Sequence, residues 1–293
     1  LIIIPGPSSQ VLGKKIAELL KTETVTLHYK RFPDGESYIR LEGEIKNKSV
    51  VVVQTTSPPQ DTNLMQLCLI ADAARNHGAK KIIAVIPYMA YARQDKQFLP
   101  GEAVSIKTIA NMLSANGITQ LITVNIHAEQ ALKNFNFTTK NLSAIPLLAE
   151  HFKDKGYTGA FALAPDKGAT KYAIEAAKIL KGEYGWLQKE RDRYTGQITV
   201  ERKKLNVKNK DVIIFDDIIS TGGTIVNAVK ILKEQGARKI FTACVHPLLI
   251  NDAQNKIIQS GAEEIIGTDC VPSPVSKVTV APLIADTLKT LKE

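Results

Sequence analysis

Cysteine is scarce. The 293 residues hold three, Cys68, Cys244 and Cys270, spaced too widely for a disulfide framework or a zinc site. Long apolar runs are lacking as well. The longest, from Ile82 to Ala92, contains Pro87 and is too short to span a bilayer. The opening Leu1-Ile2-Ile3-Ile4-Pro5-Gly6 has neither the length nor the charged start of a signal peptide. These absences point to a cytoplasmic protein without a membrane partner. No G-x-x-x-x-G-K-[ST] occurs, which disfavours a P-loop nucleoside triphosphatase. A basic-aromatic pattern of the RNA-binding kind is missing too. The net charge of +9 (38 basic minus 29 acidic residues) is spread along the chain, and clusters such as Arg202-Lys203-Lys204 are short. We expect no nucleic-acid partner. A positive field that attracts polyphosphate substrates accounts for the charge equally well.

What is present is the composition of a soluble globular protein, 44% hydrophobic and 23% charged, with length for two domains. The most informative stretch is Asp211 to Thr224, DVIIFDDIISTGGT. The apolar run Val212-Ile213-Ile214-Phe215 reads as a buried strand, with Asp216 and Asp217 at its C-terminal end. Ser220, Thr221, Gly222, Gly223 and Thr224 follow, and then a helical pattern at Ile225, Val229 and Leu232. Glycines let backbone approach a ligand closely, and the free N–H groups of a helix start bind phosphate. The two carboxylates suit sugar hydroxyls or a magnesium ion. Together these groups fit a sugar phosphate. Read locally, the same string is a Gly-rich turn capped by Thr221 or Thr224.

Elsewhere, polar residues recur at expected strand ends. Phe32-Pro33-Asp34-Gly35-Glu36 is a turn signal between extended segments, and an aromatic beside two carboxylates also suits a purine. Strands over Val50–Gln54 and Lys81–Pro87 flank a helix over Asn63–Asn76. After the second comes Tyr91-Ala92-Arg93-Gln94-Asp95, with Arg93 as a phosphate fork or a surface ion pair. His127 follows the strand Leu121–Ile126, as a core histidine or a ligand. Asp166 follows Ala160–Ala164, as a helix cap or a ligand. Lys189-Glu190-Arg191-Asp192-Arg193-Tyr194 reads as a solvated loop, and such a loop can serve as a lid. The segment Val50–Pro87 echoes Val212–Pro247, each with strand, loop, helix and a Gly-Ala-basic-Lys-Ile turn (Gly78–Ile82; Gly236–Ile240). The echo predicts two copies of one parallel α/β domain, over residues 1–145 and 146–293, with the phosphate loop in the second alone. We also expect the last helix to pack back on the first domain.

In order along the chain, Phe-Pro-Asp-Gly-Glu at 32–36, Tyr-Ala-Arg-Gln-Asp at 91–95, His127-Ala128, Pro165-Asp166-x-Gly168, Lys189-x-Arg191 and Asp216–Thr224 resemble the ribose-phosphate pyrophosphokinase family. Ser220 at the loop start and the compact length look more like archaeal members. The resemblance implies tandem phosphoribosyltransferase-type domains, each a mostly parallel sheet flanked by helices. It implies transfer of the diphosphoryl group of Mg2+-ATP to ribose 5-phosphate, giving 5-phosphoribosyl 1-diphosphate and AMP. It assigns the 5-phosphate to Ser220, Thr221, Gly222, Gly223 and Thr224, and the ribose hydroxyls to Asp216 and Asp217. ATP falls to Phe32, Asp34, Gly35, Glu36, Arg93, Gln94 and His127, with the adenine residues reaching in from a neighbouring subunit, so that a homo-oligomer of at least two chains is implied. Magnesium falls to His127 and Asp166. Lys189, Arg191 and His127 are the implied catalytic groups, with Arg191 also near the ribose phosphate. Asn125, Ala169 and Ser220 depart from the family pattern.

Two rivals are weaker. A phosphoribosyltransferase consuming the diphosphate explains residues 216–224 but not the duplication or the matches at Arg93, His127, Lys189 and Arg191. A non-catalytic regulatory subunit would fit loss of Lys189, Arg191 or His127, and all are present.

Overall fold

The computed structural model describes residues 1–191, 198–201 and 205–291, and at 188–191 and 198–201 it describes the backbone. The chain divides into two compact units, Leu1–Ser143 with Thr279–Glu293, and Ala144–Val278.

The first unit runs β1 (Ile2–Pro5), α1 (Gln10–Leu20), β2 (Thr26–Arg31), β3 (Ser37–Glu42), β4 (Ser49–Val53), α2 (Gln60–Asn76), β5 (Lys81–Ile86), α3 (Ser105–Ala115), β6 (Ile118–Val124) and β7 (Thr138–Leu142). Its sheet has the order β1-β4-β5-β6-β7, and every pair is parallel. The β-branched runs explain this. Val50, Val51, Val52 and Val53 are all fully buried, as a strand covered on both faces requires. β2 and β3 form a separate antiparallel hairpin, with Tyr29 opposite Ile39 and Lys30 opposite Tyr38.

The second unit runs α4 (Ile145–Asp154), β8 (Phe161–Ala164), α5 (Thr170–Leu180), β9 (Tyr184–Trp186), β10 (Gln188–Arg191), β11 (Ile198–Glu201), β12 (Asp211–Ile219), α6 (Gly223–Glu234), β13 (Lys239–Pro247), α7 (Ala253–Ser260), β14 (Glu264–Thr268) and β15 (Ser276–Val278). The sheet order is β9-β8-β12-β13-β14-β15, again parallel throughout, and β10-β11 is an antiparallel hairpin. The chain ends in α8 (Ala281–Thr290), which packs on α1 in the first unit.

The sequence echo is a backbone echo. β4-α2-β5 and β12-α6-β13 are both right-register parallel pairs, with Val50 opposite Ile82 and Val212 opposite Ile240. Ahead of each first strand stands Lys-Asn-Lys, at 46–48 and 208–210. Asn47 (φ 61°) and Asn209 (φ 59°) take the left-handed conformation that asparagine tolerates. Their N–H groups donate to the carbonyls of Gly78 and Gly236, each at 2.8 Å. Lys80 and Arg238 return donors to Lys48 and Lys210, each at 2.8 Å. A second echo joins Pro146-Leu-Leu-Ala149 to Pro282-Leu-Ile-Ala285, near the starts of α4 and α8. Each helix follows the last strand of one sheet and packs within the other unit, α4 on α5 and α8 on α1.

Several expectations are corrected. β12 continues through Asp216 and Asp217 to Ile219, because β13 still pairs with it there after the pairing with β8 has ended at Ile214 and Leu163. The run read as a solvated loop begins in β10, where Lys189 opposes Val200 and Arg191 opposes Ile198. Asp192, Arg193 and Tyr194 lie outside the described residues. Just ahead of α1, Ser9 Oγ accepts the Thr55 N–H at 2.8 Å and Ser8 Oγ donates to the Thr55 carbonyl at 2.7 Å, which ties the start of the helix to the end of β4. No described helix is long and apolar enough to cross a membrane.

Candidate active site

Open parallel sheets place ligands beyond the carboxyl ends of their strands, and in the second unit two such ends meet. Asp216 lies on β12, opposite Cys244 of β13, and Asp217 follows it. Each carboxylate is drawn toward its own backbone: Asp216 Oδ1 accepts the Asp217 N–H and Asp217 Oδ1 the Ile218 N–H, both at 2.9 Å. Asp217 is buried and Asp216 half-buried. Burial lifts the Asp216 carboxyl well above the ordinary carboxylate range, and the negative charge of Asp217, then that of Asp166, adds to it. That influence ties Asp166, after β8, to the same negative patch. Asp166 Oδ1 also accepts the N–H groups of Gly168 at 2.9 Å and Ala169 at 3.2 Å, so it caps the short 3-10 turn Lys167–Ala169.

Beyond the carboxylates the chain turns at Ser220 and Thr221 and enters α6 from Gly222, which has φ 79° and no side-chain cap. The N-cap position of α6 is thus held by a glycine, which has no side chain to cap with. The Ile250 N–H fixes the Ser220 carbonyl at 3.1 Å. A Cβ on Gly222 would lie 3.1 Å from Ile257 Cδ1 and 3.2 Å from the Ala253 methyl, both on α7. A Cβ on Gly223 would meet nothing within 4 Å. Thus one glycine lets the helix behind pack closely, and the next faces open space at a helix start with no acidic residue in its first turn. This is a geometry for a dianion. A cavity of about 580 Å³ runs from Thr221 and Gly223 between α6 and α7, with Lys230 and Lys256 on its walls.

In the first unit, Phe32–Glu36 form the loop of the β2-β3 hairpin. The Phe32 N–H donates to the Glu36 carbonyl at 2.8 Å, Gly35 (φ 96°) supplies the reversal, and Asp34 Oδ1 accepts the Glu36 N–H at 3.2 Å. Phe32 is 40% exposed, sits edge-on to Tyr38, and has the Lys30 ammonium 5.1 Å from its ring centre. Arg93 is exposed and Gln94 half-buried, in the turn after β5. His127 is exposed, between β6 and the 3-10 turn Glu129–Asn134. For Lys189 and Arg191 the structure describes the backbone alone, so the side-chain roles implied for them are not tested by it.

The departures have physical readings. Asn125 has φ 39°, a conformation open to asparagine, and its N–H donates to the Leu142 carbonyl at 2.8 Å. Ala169 has φ −87° and a buried methyl, so no glycine is needed there. Sequence reasoning missed the neighbour Cys244. No local signal marks it: the parallel pairing of β12 with β13, which sets Val212 opposite Ile240, is what puts Cys244 opposite Asp216. Burial, then the Asp216 charge, pushes its thiol up.

Magnesium, implied by the resemblance, prefers oxygen donors and takes one or two carboxylates with substrate phosphates. Asp166, at the edge of the aspartate patch, fits that donor set. An imidazole suits it less well, so His127 fits better as a polyphosphate contact. Among the described residues no cluster of three or more His, Cys, Asp or Glu is placed to hold a metal.

Two parallel α/β units, the second with an open glycine turn beside paired aspartates, define a phosphoribosyltransferase-type fold in tandem. Residues 1–117 match the N-terminal domain of ribose phosphate pyrophosphokinase, and residues 142–265 the phosphoribosyl transferase domain. A ribose-phosphate pyrophosphokinase of Methanobrevibacter smithii is 42% identical, over 98% of this chain and 100% of the relative. One of Sulfurisphaera tokodaii is 41% identical over 96% of each. The crystal structure of phosphoribosylpyrophosphate synthetase from Mycobacterium smegmatis superposes with a TM-score of 0.88 at 27% identity, over 99% of this chain and 98% of that one. The chain belongs to the ribose-phosphate pyrophosphokinase family and is an enzyme.

Proposed function

We propose that this enzyme makes 5-phosphoribosyl 1-diphosphate, by transferring the diphosphoryl group of Mg2+-ATP to the 1-hydroxyl of ribose 5-phosphate and releasing AMP. The observation that carries the reading is the uncapped start of α6 behind Gly222 and Gly223, one turn from Asp216 and Asp217. In this reading Ser220–Thr224 take the 5-phosphate through backbone N–H groups and hydroxyls, and the paired aspartates accept hydrogen bonds from the ribose hydroxyls. Family membership and full-length similarity support it.

The other roles follow the same reading. Phe32 stacks on the purine, while Asp34 and Glu36 accept from its amino group with Gly35 shaping the turn. Supply of these residues by a neighbouring copy makes the working enzyme a homo-oligomer of at least two chains. Arg93, Gln94 and His127 contact the polyphosphate. Asp166 carries the oxygen donors for magnesium, whose chemistry is neutralisation of phosphate charge during transfer. Lys189 and Arg191 stabilise charge on the group in flight, Arg191 also near the sugar phosphate. Transfer of this type depends mostly on alignment and charge neutralisation. Losing one preorganised donor costs about 2.7–4 kcal/mol of barrier, or roughly 10²–10³ in rate.

The deciding experiment follows ATP labelled at the β-phosphate, with ribose 5-phosphate and magnesium, for the natural protein and Lys189→Ala. We expect label in 5-phosphoribosyl 1-diphosphate, equimolar AMP, and a rate loss in the variant of roughly 10²-fold or more. Sugar-dependent ADP would indicate an ordinary kinase instead. Saturable substrate binding without turnover would indicate a regulatory subunit.

A further inference from the structure

The turn after β5 carries Arg93 and Gln94, and two carboxylates outside the assigned site hold it at either end. At its start Tyr91 has φ 64°, a left-handed conformation that strains a bulky residue. The Tyr91 hydroxyl donates to Asp61 Oδ1, in the first turn of α2. The Gln94 N–H donates back to the Tyr91 carbonyl at 3.3 Å. At the far end, Glu102 Oε2 accepts three donors: the N–H groups of Phe98 at 2.8 Å and Leu99 at 2.9 Å, and Gln94 Nε2 at 3.2 Å. Gln94 Nε2 also reaches the Lys96 carbonyl at 3.2 Å. Residues 94–102 thus close on themselves through one carboxylate oxygen.

These bonds lie at the surface and do nothing for the core. Asp61 is exposed, and the tip residues Phe98 and Leu99 are 59% and 65% exposed. What they fix is the shape of the turn. Strained residues persist where their surroundings over-determine them, and such places cluster at functional sites. A guanidinium grips phosphate well only when its fork is aimed, and small misplacements near a reacting group are costly.

We propose that Asp61 and Glu102 are positioning residues for the triphosphate: Asp61 through Tyr91, and Glu102 through Gln94, set the turn that presents Arg93 and Gln94. The inference rests on the ATP reading above. Neither carboxylate touches the nucleotide.

The test is steady-state kinetics and thermal melting of the full-length enzyme, with Asp61→Ala, Asp61→Asn, Tyr91→Phe, Glu102→Ala, Gln94→Ala and the doubles Asp61→Ala/Tyr91→Phe and Gln94→Ala/Glu102→Ala. Asp61→Ala, Tyr91→Phe and Glu102→Ala should raise KM for ATP by about tenfold, which is 1.4 kcal/mol. The KM for ribose 5-phosphate and the thermal midpoint should stay unchanged. Asp61→Asn keeps an acceptor for the tyrosine hydroxyl and should restore most of the ATP affinity. Each double should be no worse than its worse single, because the two residues act through one contact. Wild-type ATP KM in Asp61→Ala and Glu102→Ala overturns the proposal. So do additive doubles, or a rise in both KM values with a lower midpoint, the mark of a general structural role. A natural protein that forms no product from ATP and ribose 5-phosphate overturns the functional reading itself and this inference with it, so the two failures are distinguishable.

Discussion

At the scale of single residues, the site trades stability for binding. Asp216 is held in a half-buried position beside Asp217 and Asp166, with its pKa raised by burial first and by its neighbours' charge second. The folded protein therefore binds a proton at Asp216 more tightly than the unfolded chain does. Stability contributed by the protonated group is present below the ordinary carboxylate range and falls as pH rises toward the raised value. Asp216→Asn should match the natural protein's midpoint at low pH and exceed it at neutral pH, by about 2–4 °C for each kcal/mol recovered. The same variant should bind ribose 5-phosphate more weakly. Thermal melts over pH with binding titrations check both arms, and a variant less stable at neutral pH refutes the account. The two glycines offer a sharper contrast. Gly222→Ala forces a side chain into the left-handed region, at roughly 1–2 kcal/mol, and against Ile257 and Ala253, so its midpoint should fall. Gly223→Ala adds a methyl in open space and should leave the midpoint unchanged, while weakening ribose 5-phosphate binding by on the order of tenfold. Calorimetry on both variants separates the packing role from the ligand-facing one. The three buried thiols should stay silent toward a thiol reagent in the folded state, Cys68 being raised by burial to about 11.

At the scale of elements, what could be read in advance was whatever local chemistry dictated. The run Val50–Val53 and the run Val212–Phe215 are β-branched or aromatic and apolar on both faces, which a strand under two layers of helix requires. The Pro-Asp-Gly signal at 33–35 gave the β2-β3 reversal for the same local reason. The glycine turn before α6 was legible, since Gly222 does adopt positive φ. What was not legible depended on partners distant in sequence. β12 runs on to Ile219 because β13 lies beside it, a fact about Pro247 and not about the aspartates. β7, Thr138-Thr-Lys-Asn-Leu142, alternates exposed and half-buried positions and carries little apolar signal of its own; parallel pairing with β6 makes it a strand. Lys189 and Arg191 read as loop because charge dominates the run, yet β11 opposite supplies a ladder.

At the scale of the whole molecule, the two echoes differ in what they predict about cutting the chain. The strand–helix–strand echo says there are two similar units. The proline-helix echo says that each unit's sheet is followed by a helix that packs within the other. A division at 145/146, the natural reading of the sequence, would separate Ala144 and Ile145, both fully buried, from the unit they complete. It would also leave α8 attached to a unit that lacks α1. The face formed by Ala281, Ile284, Ala285 and Leu288 would then lose its cover, at about 1.5–3 kcal/mol for each large side chain exposed. Residues 144–278 expressed alone should therefore unfold in one cooperative urea transition and bind ribose 5-phosphate saturably, since β12, the glycine turn and α6 are all internal to that unit. Residues 146–293 should unfold at a lower midpoint and self-associate through the uncovered helix. Equal midpoints for the two fragments would mean that α4 and α8 add little to the units they join, and the exchange would be a detail of connectivity without energetic weight. A stable 144–278 fragment without sugar-phosphate binding would instead place the missing determinant in the first unit or in the undescribed residues 192–197 and 202–204. Because folding and binding are read separately, the experiment distinguishes how the units are built from where the sugar phosphate is held.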